Sequence, residues 1–209
     1  MLRACGPRGP ANLGFLPGAV LLAVLVTGCH HHLFVDTTPL DSSGMSYDTI
    51  QQLKSLDVSS QEVAEIAKAR QGGLPDAACV EVLRAYRTRS QQFSAGGNVT
   101  GLLQADIRPG TVIELARLNQ LGLESGELQA MRLAGMPDEI LLEVARHRAK
   151  GEPVLSGASL AGMKNAGLSN TTLLELARRG IPDSETNNIV ALRRHGMNEA
   201  EILRHFSGS

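Results

Sequence analysis

The sequence predicts an all-α protein, built from short capped helices in repeated helical hairpins and stacked as a small bundle or short solenoid. Three observations predict it. A twelve-residue pattern recurs along the chain, with its clearest copy at Gly167–Arg178, GLSNTTLLELAR. Helix-capping signals stand at the ends of each copy. The chain has only 3% aromatic residues and no Trp, while Leu, Ala, Glu and Arg are abundant, which favours helices over a β-sandwich.

The clearest copy explains the unit. Gly167 suits the left-handed position that closes a preceding helix, since glycine carries no Cβ. Leu168 takes the place of a hydrophobic staple and Ser169 that of an N-cap. Leu173, Leu174, Leu176 and Ala177 give the next helix a buried side, and Glu175 stands within reach of Arg178 and Arg179 on the outer side.

From the N-terminus, Arg3 and Arg8 precede the apolar run Ala19–Val26, and no acidic residue occurs before Asp36. The run is of signal-peptide length and too short to span a bilayer. It ends in Val26-Thr27-Gly28-Cys29. Residues 30–46 carry Pro39, Gly44 and several hydroxyl side chains with no sustained period, so 29–46 reads as a flexible tether. Within it, Leu33-Phe34-Val35 is an apolar patch that either packs back on the domain or touches lipid. His30, His31 and His32 are weak metal candidates, because three adjacent imidazoles on a tether make an unshaped site. No metal or other cofactor is expected.

The repeats then run from 47 to 209. Asp57–Lys68, Gly73–Arg84, Asp106–Arg117, Gly135–Arg146 and Gly167–Arg178 are clear copies, and looser ones start at Gly122, Gly180 and Gly196. In the clear copies Glu65, Glu81, Glu114, Glu143 and Glu175 each precede a Lys or Arg by three positions. Leu53–Lys68 matches Leu102–Arg117 at an offset of 49, and Met163–Arg178 follows at a further 61. Three modules of two or three helices follow, at about 47–92, 98–150 and 157–209. Linkers fall near Arg89–Asn98 and Ala149–Gly157. Ser59 with Glu62 and Asn198 with Glu201 read as capping boxes, and Pro75, Pro137 and Pro182 mark helix starts.

Val26-Thr27-Gly28-Cys29 resembles the lipobox of bacterial lipoproteins, with Val26 in place of the favoured Leu and Thr27 in place of Ala or Ser. The resemblance covers the first 29 residues. It implies cleavage between Gly28 and Cys29, a diacylglyceryl thioether on Cys29, and an acylated amine. It further implies a lipid-anchored protein of the bacterial cell envelope, at the outer membrane in a Gram-negative cell. Two or three acyl chains would hold it permanently, at about 0.8 kcal/mol per buried methylene. The repeat unit resembles the glycine-led helical hairpins of bacterial envelope and C-terminal oligomerisation domains, which implies protein–protein contact or self-association.

Other residues speak against chemistry. With Cys29 lipidated and Cys5 removed, Cys79 is the single thiol left, inside an apolar helical pattern, and it reads as a small buried hydrophobe. His147, His195 and His205 lie far apart without metal-ligand spacing. Arg146-His147-Arg148 and Arg193-Arg194-His195 read as solvated helix ends, and Asn98-Val99-Thr100 as an unused sequon. Met131, Met136, Met163 and Met197 read as core before they read as contact surface. Removing Arg3 and Arg8 leaves eighteen basic against twenty-one acidic residues, a formal charge of −3, which argues against nucleic-acid binding. The expectation is a non-enzymatic, membrane-tethered interaction or scaffolding module. The alternative is a small-ligand or metal carrier using a cleft between modules.

Overall fold

A computed structural model describes residues 35–206 of the chain. Among the described residues there are twelve α-helices, one 3-10 turn and no strand. They are α1 (Thr38–Ser42), α2 (Tyr47–Ser55), α3 (Ser60–Gln71), α4 (Asp76–Arg87), α5 (Gly96–Gln104) and α6 (Pro109–Arg117). Then come α7 (Ser125–Leu133), α8 (Asp138–Lys150), α9 (Gly157–Asn165), α10 (Asn170–Arg178), α11 (Thr186–Arg194) and α12 (Glu199–His205). The fold class is all-α, as the sequence predicts.

The helices pair as six consecutive hairpins. Each odd-numbered helix packs on the next odd one, α1 on α3 through α9 on α11, and each even-numbered helix on the next even one. Two rows of helices therefore share one continuous core, including Leu53, Leu83, Leu115, Leu141, Leu173 and Ile189. Helices of five to thirteen residues are marginal alone. Stacking supplies what local propensity lacks.

The turns carry the repeat. Each of the eleven connections between described helices contains one residue with positive φ. Seven are glycines; Asp57, Ser90, Asp106 and Asn119 fill the other four. Gly167 shows the logic: at φ +88 it lets the Leu168 amide reach back to the Met163 carbonyl at 3.2 Å, closing α9. Leu168 is then buried, and the Ser169 hydroxyl accepts from the Thr172 amide. The capping boxes at Ser59–Glu62 and Asn198–Glu201 are both present. Pro75 and Pro137 sit one position earlier than a first-turn proline, as the N-cap residues of α4 and α8.

Three boundaries differ from the sequence reading. The helical stack begins inside the supposed tether 29–46: Thr38–Ser42 is helical, Leu40 and Met45 are buried, and Val35 packs against the core. The hydroxyl-rich composition hid this because so short a helix has no period to detect. The copy at Asp57–Lys68 is also displaced by one helix. It spans the turn into α3, an odd helix, whereas the other four clear copies span turns into the even helices α4, α6, α8 and α10. Both rows use the same turn chemistry, so a local pattern does not separate them. Finally, the modules hold four helices each, α1–α4, α5–α8 and α9–α12, and the two predicted linkers fall between them.

Candidate functional site

The polar groups buried inside this stack are its first candidates for chemistry. Glu62, on the first turn of α3, has no solvent exposure. Both oxygens of its carboxylate take Arg87 guanidinium nitrogens at 2.8 Å. The Phe93 amide donates to it at 3.0 Å and the Ser59 amide at 2.9 Å. Burial pushes the carboxyl up, but Arg87 and the donors of Ser59 and Phe93 outweigh it and hold Glu62 below the usual carboxylate range. Arg87 in turn donates to the carbonyls of Leu56 and Asp57. This cluster ties α3, α4 and the connector to α5 together.

A second set recurs at fixed spacing along the even row. The Ser46 amide donates to Asp76 at 2.9 Å, the Arg108 amide to Asp138 at 3.1 Å, and the Ser169 amide to Glu199 at 3.1 Å. Each pair is thirty residues apart and joins the N-cap of one even helix to the first residue of the next. Thr49, Thr111 and Thr172 are buried beside them. The Thr111 hydroxyl donates to Asp138 at 2.7 Å and the Thr172 hydroxyl to Glu199. Burial raises Asp138, and Thr111 with Arg108 more than reverses it. Asp76 and Glu199 are lowered by the same balance, against burial, through Ser46 and through Ser169 with Thr172 respectively. These carboxylates are committed to holding hairpins together. Sequence reasoning missed them, although the spacing of about 61 between like positions was a signal for them.

The residues singled out in the sequence fall apart. Gly28, Cys29 and the candidates His30, His31 and His32 lie outside the described residues. Cys79 is buried, and burial, with Asp76 adding to it, pushes its thiol up to about 12. His147 packs in α8 between Glu143 and Glu152, while His195 caps α11 and His205 ends α12. Among the described residues no group of three or more His, Cys, Asp or Glu is placed to hold a metal ion. Arg146 pairs with Glu143 and Arg148 with Glu127, and Arg193 donates to the Gly167 carbonyl. The Asn98 amide of the sequon bonds the Leu121 and Gly122 carbonyls. Met131, Met136 and Met163 are core; Met197 is half-buried. A cleft of about 380 Å³ at the last hairpin is lined by Ile181, Pro182, Glu185, Asn188, His205 and Phe206.

What remains is the outside of the two rows. Four of the five expected charge pairs form on the outside of the stack: Glu81–Arg84 at 2.7 Å, Glu114–Arg117 at 2.5 Å and Glu143–Arg146 at 3.1 Å on the even row, and Glu65–Lys68 on α3 of the odd row. Glu175 instead pairs with Arg179, four positions on. Arg117 also reaches Glu81 of the neighbouring hairpin at 3.3 Å. Three neighbouring odd helices differ from the rest of their row, in which α3 carries Glu65 and Lys68 and α11 carries Arg193 and Arg194. Helix α5 has no charged residue, and those of α7 and α9 (Glu127, Arg132 and Lys164) are all engaged with neighbouring elements. Leu123, in the turn before α7, and Leu133, the last residue of α7, stand 98% and 77% exposed. No protein-family model, curated protein or solved structure matches the chain.

Proposed function

We propose that this chain is a membrane-tethered lipoprotein of the bacterial cell envelope that acts as a non-enzymatic protein-interaction or scaffolding module. The observation that carries the reading is the division of labour among polar groups. The buried carboxylates and the buried thiol are committed to the packing of hairpin on hairpin, whereas the long outer faces of both helix rows are exposed. Stacked repeats present extended surfaces of this kind to partners. The lipobox resemblance at Val26-Thr27-Gly28-Cys29 supplies the tether.

Two measurements test it. Metabolic lipid labelling should mark the full chain and be lost in Cys29→Ser, with the variant leaving the membrane fraction or stalling in processing. Cross-linking in intact membranes, followed by gentle solubilisation, should recover the chain with a stoichiometric protein, either a different one or a second copy. Undiminished labelling of Cys29→Ser would remove the tether. A chain recovered alone at native abundance would remove the interaction role.

A further inference from the structure

The interaction reading says nothing of which face is used or by what. We propose that the cleft at the last described hairpin, α11–α12, is a docking seat for a segment of a partner protein: an uncharged, glycine-led helix start preceded by an apolar residue. The proposal rests on the interaction reading and narrows it to one place and one kind of partner.

The chemistry of the occupant is written in the chain itself, at the two joints between modules. At the first joint the Gly96 amide, opening α5, donates to Glu65 of α3 at 2.9 Å, and the Phe93 amide before it donates to Glu62 at 3.0 Å. At the second the Gly157 amide, opening α9, donates to Glu127 of α7. Both places need glycine. A Cβ on Gly96 would run into the Glu65 backbone, and one on Gly157 into the side chains of Met131 and Glu127. Phe93 and Leu155 precede these glycines and are buried. Val99 and Leu102 follow in α5, and Leu160 and Met163 in α9, at the same three-residue spacing and also buried. Neither 91–104 nor 153–163 contains a charged residue.

The last hairpin repeats the receiving half of these joints. Gly73, Gly135 and Gly196 hold the same left-handed turn and set the register between modules. On that register Glu62 corresponds to Glu124 and Glu185, and Glu65 to Glu127 and Asn188. Glu185 and Asn188 both line the cleft, where the Asn188 side-chain amide donates to Glu185 at 3.1 Å. Ile181 and Phe206 form an apolar floor beneath them, 3% and 7% exposed. The surrounding surface is of the same kind. Met131 and Met136 are buried in the middle module, whereas their counterparts Leu192 and Met197 are half-buried.

A second copy stacked end to end does not fit this seat. Its first hairpin would have to stand where α5–α6 and α9–α10 stand at the inner joints. On the same register Lys54 of α2 takes the place of Ala116 and Ala177, both with no exposure, and Pro39 of α1 takes that of Gly101 and Gly162. Burying Lys54 unpaired would be costly. The occupant is therefore another protein, one that carries the pattern of α5 and α9 without the polar outer face of α1–α2.

The seat supplies what a helix start lacks. The first N–H groups of a helix have no partner within it, and the Glu185 carboxylate with the Asn188 carbonyl oxygen can accept them. The cleft of about 380 Å³ takes an apolar side chain together with the backbone that carries it. Asn188 stands where the inner joints use a glutamate, so a neutral acceptor replaces a charged one and the contact is weaker than those within the chain. Docking here is reversible, and it adds a helix to the odd row in the way that α9 is added to α7.

The test titrates the full-length chain, held in mild detergent, into a fluorescein-labelled peptide of residues 91–104, QQFSAGGNVTGLLQ, and follows anisotropy. Binding should saturate. Gly96→Val or Phe93→Ala in the peptide should weaken it by about ten-fold or more. In the chain, Asn188→Arg should weaken it as much with an unchanged helical melting curve. Asn188→Glu, which restores the charged acceptor, should tighten it by roughly three-fold or more. Gln51→Arg on α2 should leave it unaltered. No saturation, or equal binding by every peptide and chain variant, would overturn the proposal. So would a dimer of the chain alone in sedimentation that Asn188→Arg dissolves, which would assign the cleft to a second copy. The two readings fail separately: a failed titration beside a protein cross-linked in membranes would strike this seat and leave the interaction reading standing.

Discussion

Replacing Glu62 with Ala is the sharpest test of how the stack is held. The side chain is fully buried, and it accepts two bonds from Arg87, one from the Phe93 amide and one from the Ser59 amide. Removing one partner of a buried ion pair costs about 3–5 kcal/mol, chiefly because the other charge is stranded. Arg87 is 30% exposed and rehydrates in part, which lowers that figure. Against this, the buried Phe93 amide loses its acceptor, a loss of about 1–3 kcal/mol, and the capping box of α3 is broken. The balance is about 3 kcal/mol, or a fall in melting temperature of about 6–12 °C for a chain of this size. Thermal and urea melts followed at 222 nm measure it. Glu62→Leu combined with Arg87→Met should recover part of the loss, since apolar groups of similar volume replace the pair without a stranded charge. A fall of less than about 2 °C for Glu62→Ala would refute the view that this carboxylate joins α3 to the α5 connector.

The remaining predictions concern protons and the thiol. Glu62, Asp76, Asp138 and Glu199 all have folded pKa values below their ordinary 4.5 or 3.8, so the unfolded chain binds more protons than the folded one in that range. Their contribution is fully present above those ordinary values and is lost as pH falls through the lower folded ones. Melting temperatures should be level from pH 7 to about 5.5 and drop below about 4; equal stability at pH 3 and pH 7 would contradict the assignment. Cys79, with its thiol pushed up to about 12 and its side chain buried, should react with iodoacetamide at least roughly 100-fold faster in denaturant than in the folded chain at pH 8. Peptide mapping at Cys79 reads this, and native labelling at the rate of a free thiol would show the site to be open.

Much of the fold was legible in the sequence because its signals are local. Gly167, Leu168 and Ser169 announce a left-handed closure, a buried staple and an N-cap within three residues, and the structure uses each so. The capping boxes are equally local. The displaced copy at Asp57–Lys68 shows where local reading fails: Asp57 and Asp106 both take positive φ, yet one leads into the odd row and the other into the even row. Which row a helix joins depends on its neighbours two elements away. Asp57 and Asp106 also occupy positions where glycine is the ordinary signal. The buried acids were invisible for a related reason. An acid on the first turn of a helix is expected at the surface, where it complements the macrodipole. That Asp138 instead closes on Arg108 and Thr111 depends on a hairpin thirty residues upstream lying against it.

The doubled period has a specific physical origin in the donors at the helix starts. Ser46, Arg108 and Ser169 cap α2, α6 and α10 and have a backbone N–H that stacking would otherwise leave unpaired. Each is met by the acid that opens the next even helix: Asp76, Asp138 and Glu199. The N-caps of α4 and α8 are Pro75 and Pro137, which have no N–H to satisfy. The helices that follow them accordingly open with Pro109 and Asn170 instead of an acid. At the last described hairpin, on which no other described helix stacks, the corresponding position is Asn198, and its N–H is taken by Glu201 of its own helix. Donor-bearing and donor-free caps thus alternate, and an acid appears only where a donor precedes it. This accounting gives six similar hairpins, which share one continuous core, a period of two hairpins. It also explains why the match at 61 residues identifies true equivalents, whereas the match at 49 aligns one turn with another of the same chemistry but the opposite row.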